Sequence, residues 1–216
     1  MMIRERLSLL SAPAIEPVGD AEAQAHLRVS SEDELALMLG HIRTARQMVE
    51  SWTGRALISQ SWRWMLDGWP GAVSQDWWDG VRPGAMSSGA ARFIEVPKAP
   101  LLSVSAVTLF NDADQGAVWA AANYFVDTAS APGRLVLRNA ASAPLPQRSA
   151  NGLQIDFTCG YGAGPGDVPA PLRQAVLMLT AHYFENREVM QGAEGGGHVL
   201  PLGVHALLAP YRMMRL

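Results

Sequence analysis

The chain has 216 residues, a formal net charge of −3, a hydrophobic fraction of 49% and a charged fraction of only 17%. Its one lysine, Lys98, and its scattered arginines do not make the clustered basic surface that grips nucleic-acid phosphates. No stretch approaches the roughly 18 apolar residues of a membrane helix, and the N-terminus lacks the apolar run of a signal peptide. The single Cys159 excludes an intrachain disulfide framework and a multi-cysteine zinc site. We therefore expect a protein of a reducing cytoplasm, or of an assembly built there, without membrane contact.

Two helices are predicted near the N-terminus. Residues 19–29 form the first, with Asp20 as its N-cap. Ser30 or Ser31 caps the second, since Glu34 follows Ser31 at capping-box spacing. Gly54 predicts the end of this helix. Its apolar residues recur with the 3.6-residue helical period at Leu35, Met38 or Leu39, Ile42, Ala45, Val49 and Trp52.

The pattern changes to short alternating segments between residues 58 and 157. Trp62, Trp64 and Leu66 alternate with Ser61, Arg63 and Met65, and Leu153 begins a similar alternation over residues 151–158. Residues 93–112 predict one or two strands, and residues 122–139 predict two strands joined by a turn at 131–133. We expect four to six short strands in a small antiparallel sheet or sandwich. Residues 74–91 predict a long exposed loop.

A long helix is predicted over residues 167–188, with Asp167 as N-cap and Pro169 and Pro171 in the first turn. Its apolar residues occupy most of its circumference rather than one stripe. Such a helix is either central to a core or shared with another subunit. We expect it to pack inward through Leu172, Val176, Leu179 and Tyr183. The residues expected to contact a neighbouring copy are Arg173, Leu177, Thr180 and Phe184.

The C-terminal part is predicted to contain a flexible glycine tract at 192–197 and a short helix from about 203 to 210. Together these elements predict the α+β fold class, as a single domain over residues 1–216. Helical segments at 16–57 and 167–216 form a small bundle, and an antiparallel β insertion occupies 58–158.

Three features are candidate sites of chemistry. The loop 160–167 joins a strand to a helix, but it lacks a Lys-Ser/Thr pair and dinucleotide glycine spacing, and Asp167 would repel an anion. His182 and Glu185 have the spacing of half a di-metal site, yet no second such pair exists. Cys159 has no base beside it in sequence. We predict no catalytic residue, no metal and no cofactor. A small α+β enzyme or ligand-binding module using the loop 160–167 remains the alternative.

The tryptophans form a separate group of candidates. Alternation predicts that Trp62 and Trp64 belong to the core of the sheet, and Trp69 follows them closely. Trp77 and Trp78 lie in a polar segment without a period that would bury both. Exposed tryptophan is enriched at interaction hot spots. Two interpretations stay open for this pair: contact with a partner, or packing beneath the loop.

Three sets of segments resemble the head-to-tail connector, or adaptor, proteins of tailed phages and of gene transfer agents. The first set is residues 16–28 and 50–70, which include the string TGRALISQ. The second is residues 95–104 and 124–133. The third is residues 160–188, with the strings VPAPLRQA and HYFENRE, and residues 201–212. They occur in one order and cover most of the chain.

The resemblance implies a non-enzymatic ring protein of a virion or phage-like particle neck, commonly dodecameric, assembled in the bacterial cytoplasm. Its partners would be its own copies, the portal protein above and the next neck, stopper or tail protein below. DNA would pass through its channel without sequence-specific binding. Another neck or tail-completion protein on the same scaffold is a second alternative. The portal-docking candidates are His205, Leu207, Leu208, Tyr211, Arg212, Met213 and Met214.

Overall fold

The computed structural model of the protein describes residues 6–29, 34–69, 93–138, 144–186 and 201–213. It has mixed α+β architecture, as predicted. The chain forms two compact units, each assembled from separate stretches of sequence. The β unit comprises residues 1–12 and 60–159, and the helical unit comprises residues 13–59 and 160–216. The single-domain organisation given above stays a prediction. No helix of the described ranges is long and apolar enough to cross a membrane.

The helical unit begins with α1 (Asp20–Leu27) and α2 (Leu35–Thr53). The prediction of Asp20 as N-cap is wrong by one position. Gly19 is the N-cap, and the Asp20 carboxylate accepts the N–H of Ala21 inside the first turn. Helix α2 ends at Gly54, as predicted, because this residue adopts a left-handed conformation with φ of 73°. The predicted caps Ser30 and Ser31 lie outside the described residues.

Helices α3 (Ala170–Glu185) and α4 (Leu202–Leu208) complete this unit, and α4 is followed by a 3₁₀ turn at Ala209–Tyr211. The prediction of Asp167 as N-cap is wrong. The helix starts three positions later, with Pro169 as N-cap and Pro171 in the first turn. A short 3₁₀ turn at Pro165–Asp167 precedes it, and there the Asp167 carboxylate accepts the N–H of Gly164 at 2.9 Å.

One apolar core holds the four helices together. Helix α3 packs against α1, α2 and α4, and α2 also packs against α4. Arg46 and Glu50 of α2 are buried beside this core and pair at 2.8 Å. The second carboxylate oxygen of Glu50 accepts the N–H of Leu57, while Arg46 also donates to Glu16. The fully or nearly buried core residues include Val18, Met38, Ile42, Ala45, Val49, Leu172, Ala175, Val176, Leu179, Val204 and Leu208.

The β unit contains a five-stranded antiparallel sheet with the order β1-β2-β8-β4-β5. Its strands are β1 (Arg6–Ser11), β2 (Gln60–Leu66), β4 (Leu101–Phe110), β5 (Gly116–Val118) and β8 (Leu153–Cys159). One face is apolar, because cross-strand pairs such as Trp62 with Phe157 and Trp64 with Ile155 align along it. The opposite face is polar and carries the bidentate pair between Arg63 and Asp156. The hydrogen bond from Arg63 to Asp156 raises the pKa of this arginine.

A second, three-stranded antiparallel sheet has the order β3-β7-β6. Its strands are β3 (Phe93–Glu95), β6 (Tyr124–Asp127) and β7 (Arg134–Leu137), and the β6–β7 connection spans the turn predicted at 131–133. The Asp127 carboxylate accepts hydrogen bonds from the Ser130 hydroxyl and from Arg134. These bonds lower the pKa of Asp127 to about 2.

The described residues contain eight strands, and seven of them, β2 to β8, lie in the insertion for which four to six were expected. The strand missed there is β5, whose three residues are too few to show a period of two. β1 lies in a segment for which no strand was predicted. The antiparallel pairing and the alternating burial of β8 are confirmed.

Candidate assembly surfaces

Helix α3 is surrounded mainly by its own chain. Its exposed residues are Ala170, Gln174 and Glu185, while α1, α2 and α4 pack on its other sides. The predicted inward residues Leu172, Val176 and Leu179 are completely buried, and Tyr183 packs partly buried against the same core. The apolar residues around α3 are therefore not by themselves a reason to expect a neighbouring subunit. This corrects the inference drawn above from the sequence pattern of the helix.

The four residues predicted for subunit contacts have unequal exposure. Thr180 is completely buried and donates its hydroxyl hydrogen to the Val176 carbonyl at 2.8 Å, and Leu177 is 6% exposed. Arg173 is partly exposed and donates to Glu22 of α1 at 2.7 Å. Phe184 is also partly exposed, with its ring edge-on to His41. Contact with another copy at these four positions stays a prediction, for which Arg173 and Phe184 have the accessible side chains.

The C-terminal segment is docked on its own subunit. Val204 and Leu208 of α4 are completely buried in the helical core. A chain truncated after Gly203 would therefore lose two residues of its core. Among the predicted portal-docking residues, His205 and Arg212 are exposed, Leu207, Tyr211 and Met213 are intermediate, and Leu208 is buried. Met214 lies outside the described residues.

Polar contacts fix the end of this segment against the C-terminus of α2. The backbone N–H of Met213 donates to the Thr53 carbonyl at 2.9 Å, and the Arg55 guanidinium donates to the Tyr211 carbonyl at 2.6 Å. The guanidinium of Arg212 lies 5.1 Å from the ring centroid of Trp52. Residues 211–213 thus add to the attachment of α4.

The side chain of Asp167 fills the space inside the loop 160–167. The Asp167 carboxylate binds the Gly164 N–H from inside the turn. A Cβ at Gly162 would collide with that same carboxylate. An anion would need the volume and the N–H group that Asp167 occupies, so this geometry is that of a structural turn and not of a phosphate cradle.

The other chemical candidates are separate from one another. Among the described residues, no three His, Cys, Asp or Glu side chains come together to hold a metal ion. His182 contacts Asn186 at the end of α3, and Glu185 is exposed. Cys159 is buried at the end of β8, with its sulfur 3.9 Å from the Gln60 carbonyl oxygen.

The described tryptophans of the β unit belong mainly to its interior. Trp64 is 2% exposed, while Trp62 is partly exposed and has the Lys98 ammonium 4.5 Å from its ring centroid. Trp69 is buried, donates to the Pro144 carbonyl at 2.7 Å and stacks edge-on against Trp119. The predicted partner-contact residues Trp77 and Trp78 lie outside the described residues.

The three-stranded sheet presents an apolar row that sequence reasoning missed. Phe93, Val136 and Phe125 are cross-strand neighbours on β3, β7 and β6. Phe93 is 41% exposed and Phe125 is 54% exposed. On the same face, Glu95 pairs in register with Arg134, but the guanidinium binds Asp127 instead. We call this row, together with exposed Glu95, the phenylalanine face. Alternation within each strand was a signal for it, but only the strand register joins the three residues.

Helix α2 carries two separate exposed leucines. Leu37 and Leu39 are each 41% exposed, and because they are two positions apart on a helix they point to nearly opposite sides of it. One turn after Leu39, the Arg43 side chain is 68% exposed, and its only ion pair within the described ranges is a 3.7 Å contact with Glu16.

Comparison with known proteins relates both units to one kind of assembly. The chain is 28% identical to a chain in a structure of the neck of an empty gene transfer agent (GTA) particle computed with C6 symmetry, with a TM-score of 0.72. That alignment covers 98% of this chain and 97% of the other. A chain in the virion of a native GTA particle is 27% identical, with a TM-score of 0.74 and coverages of 97% and 96%. A chain in the neck of a native GTA particle computed with C12 symmetry is 26% identical, with a TM-score of 0.66 and coverages of 98% and 97%.

This chain has the fold of a GTA neck chain. No protein-family model matches it, and no curated protein matches it. The expected location in the neck of a phage-like particle is confirmed. The likeness is to structural parts of a particle, which indicates a structural role.

Proposed function

We propose that the protein is the adaptor of a GTA or phage-like particle, forming a ring directly beneath the portal. The observation that carries this proposal is the near full-length match to neck chains at 26–28% identity, which includes the helical unit and the β unit together. The ring would join the DNA-filled head to the next neck or tail protein and would extend the DNA channel.

Twelve copies are proposed for the ring. A twelvefold ring is consistent with both C12 and C6 symmetry, whereas a sixfold ring is consistent only with C6. Similar chains occur in neck structures computed with each symmetry. In a cyclic ring, every subunit uses two different surfaces to contact its two neighbours. The net charge of −3 suits a channel through which DNA moves without binding tightly.

Contact with the portal is proposed to involve the accessible residues at the C-terminal end. His205 and Arg212 have exposed side chains, and Tyr211 and Met213 are partly exposed. The buried Leu208 would act indirectly, by holding α4 in place. The packed segment would offer a preformed surface to the portal.

An electron-microscopy map of purified particle necks, with this chain traced in it, tests the proposal. We expect twelve copies in contact with the portal. Six copies, or twelve copies separated from the portal by another protein, would instead support the alternative of a different neck or tail-completion component. An enzyme or ligand-binding role for the loop 160–167 predicts heat on titration with nucleotide in a calorimeter. The occupied turn predicts none.

A further inference from the structure

We propose that the C-terminal end of the helical unit binds an acidic segment of the portal through Arg212, His205 and Arg55. This inference rests on the proposed portal contact and names the chemistry that the portal has to offer there. Its basis is a group of basic side chains without a carboxylate partner among the described residues. We call these three residues, together with Trp52, the basic end.

The basic end is organised around one indole ring. The Arg212 guanidinium lies 5.1 Å from the centroid of the Trp52 ring, and the His205 ring is edge-on to the same indole, with 5.6 Å between centroids. The backbone beside Arg212 is fixed, because the next N–H, of Met213, donates to the Thr53 carbonyl. Arg212 and His205 are both exposed. A partner can therefore reach both side chains while α4 stays packed in the core.

Arg55 adds a second guanidinium at the same place. It donates through Nε to the Tyr211 carbonyl at 2.6 Å and through Nη1 to the Tyr161 hydroxyl at 3.3 Å. That carbonyl belongs to the peptide bond between Tyr211 and Arg212, so both arginines are anchored at one peptide unit. The two acceptors of Arg55 are neutral groups, and they leave its positive charge uncompensated.

No carboxylate neutralises this charge within the described part of the chain. The three basic side chains take part in none of the ion pairs between described residues. The segments that build the basic end, residues 51–57, 160–166 and 201–213, contain no aspartate or glutamate. Glu50, which precedes the first segment, is buried and already paired, and Asp167, which follows the second, binds its own turn. In a chain with a net charge of −3, these segments carry only basic groups.

A carboxylate fits what the basic end offers. A guanidinium has five N–H donors, and its contact with an aromatic ring leaves donors available for a carboxylate. Such a pair forms two parallel hydrogen bonds, which give geometric specificity. Nucleic acid fits less well, because binding its backbone needs many clustered cations. The basic end has two arginines, and the chain's one lysine, Lys98, belongs to the β unit. The charge pattern therefore favours an acidic protein segment.

The test adds the purified chain to portal-bearing heads from a strain that lacks it, and measures the amount bound per head over a range of concentrations. Arg212→Gln removes the charge, and we expect about threefold weaker binding. Arg212→Glu reverses the charge, and we expect about tenfold weaker binding, the effect of about 1.4 kcal/mol. The matched control Arg6→Glu makes the same reversal at an exposed position of the β unit and should bind like the wild type.

His205→Glu provides a second variant that leaves Arg212 in place. It adds a negative charge beside the same indole, and binding should again be about tenfold weaker. Thermal unfolding of each purified variant checks the subunit fold. Both positions are exposed, so we expect the melting temperatures to stay close to that of the wild type. If one variant unfolds early, the other carries the test.

The outcomes separate this inference from the proposed function. Wild-type binding that all the variants of the basic end retain would exclude the acidic partner and leave the portal contact standing. Equal losses from Arg212→Gln and Arg212→Glu would contradict it too, since the loss would not follow charge. Binding that disappears when the heads are emptied of DNA would assign the basic end to nucleic acid instead. A wild-type chain that binds no heads would overturn the adaptor proposal, and this inference with it.

Discussion

Replacing Leu208 by alanine tests whether α4 is part of the subunit core. The Leu208 side chain is completely buried. Its truncation removes apolar volume worth about 0.8 kcal/mol per methylene, or roughly 2.4 kcal/mol for three such groups. The cavity left behind adds to this, so we expect a loss of about 3–4 kcal/mol, within the roughly 2–5 kcal/mol found for such substitutions. A domain with a typical stability of about 5–15 kcal/mol would lose a large share of it.

Leu202→Ala is the matched control on the same helix. Leu202 is 78% exposed, and leucine and alanine are both good helix formers, so its replacement should cost less than about 0.5 kcal/mol. Urea unfolding followed by circular dichroism measures both variants. An equal effect of the two substitutions would refute the packing argument.

Three further predictions concern the buried ion pair, a conformationally restricted glycine and pH. Glu50→Ala removes one partner of the buried Arg46 and the acceptor of the buried Leu57 N–H. The free energy of unfolding, measured by urea titration, should therefore fall by about 3–5 kcal/mol. The control Gln47→Ala, at an exposed position of the same helix, should change it by less than about 0.5 kcal/mol. Gly160→Ala should lower the melting temperature far more than Gly166→Ala. Gly160 has a φ of 137°, and a Cβ added there would lie 2.6 Å from a backbone nitrogen, whereas nothing lies within 4 Å of a Cβ added at Gly166. Equal melting temperatures of the two variants would contradict this reasoning. The pKa of Asp127 is lowered to about 2, so its hydrogen bonds stabilise the fold above the unfolded-state value of about 3.8 and are lost as pH falls towards 2. The melting-temperature difference between wild type and Asp127→Asn should therefore shrink as pH is lowered from 5 to about 2.5, and a constant difference would show that the charge is irrelevant.

Elements with strong local signals were predictable from sequence. The 3.6-residue period of α2 predicted a helix, and Gly54 correctly predicted where that helix ends. Alternation in β8 predicted the burial of Leu153, Ile155 and Phe157. In these segments, local geometry alone determines which residues share a face.

The surroundings of α3 were not predictable in the same way. A helix that is apolar on most sides has the same sequence pattern whether its own chain or another copy covers it. The start of α3 was predicted too early, because the side chain of Asp167 can either cap a helix or accept a backbone N–H in the turn before it. It binds the Gly164 N–H in the preceding turn instead of capping α3. The phenylalanine face depends on which strands pair and in which register, information that no single strand carries.

The helical unit is discontinuous, and this affects the order in which the chain becomes a complete subunit during synthesis. Residues 13–59 leave the ribosome first, but the helices that cover the apolar side of α2 arrive only with residues 160–216. Val204 and Leu208, which complete this core, are translated after its other buried residues. A polypeptide that terminates before Val204 is thus left with an open, unstable core, so the packing of this unit favours complete subunits over fragments.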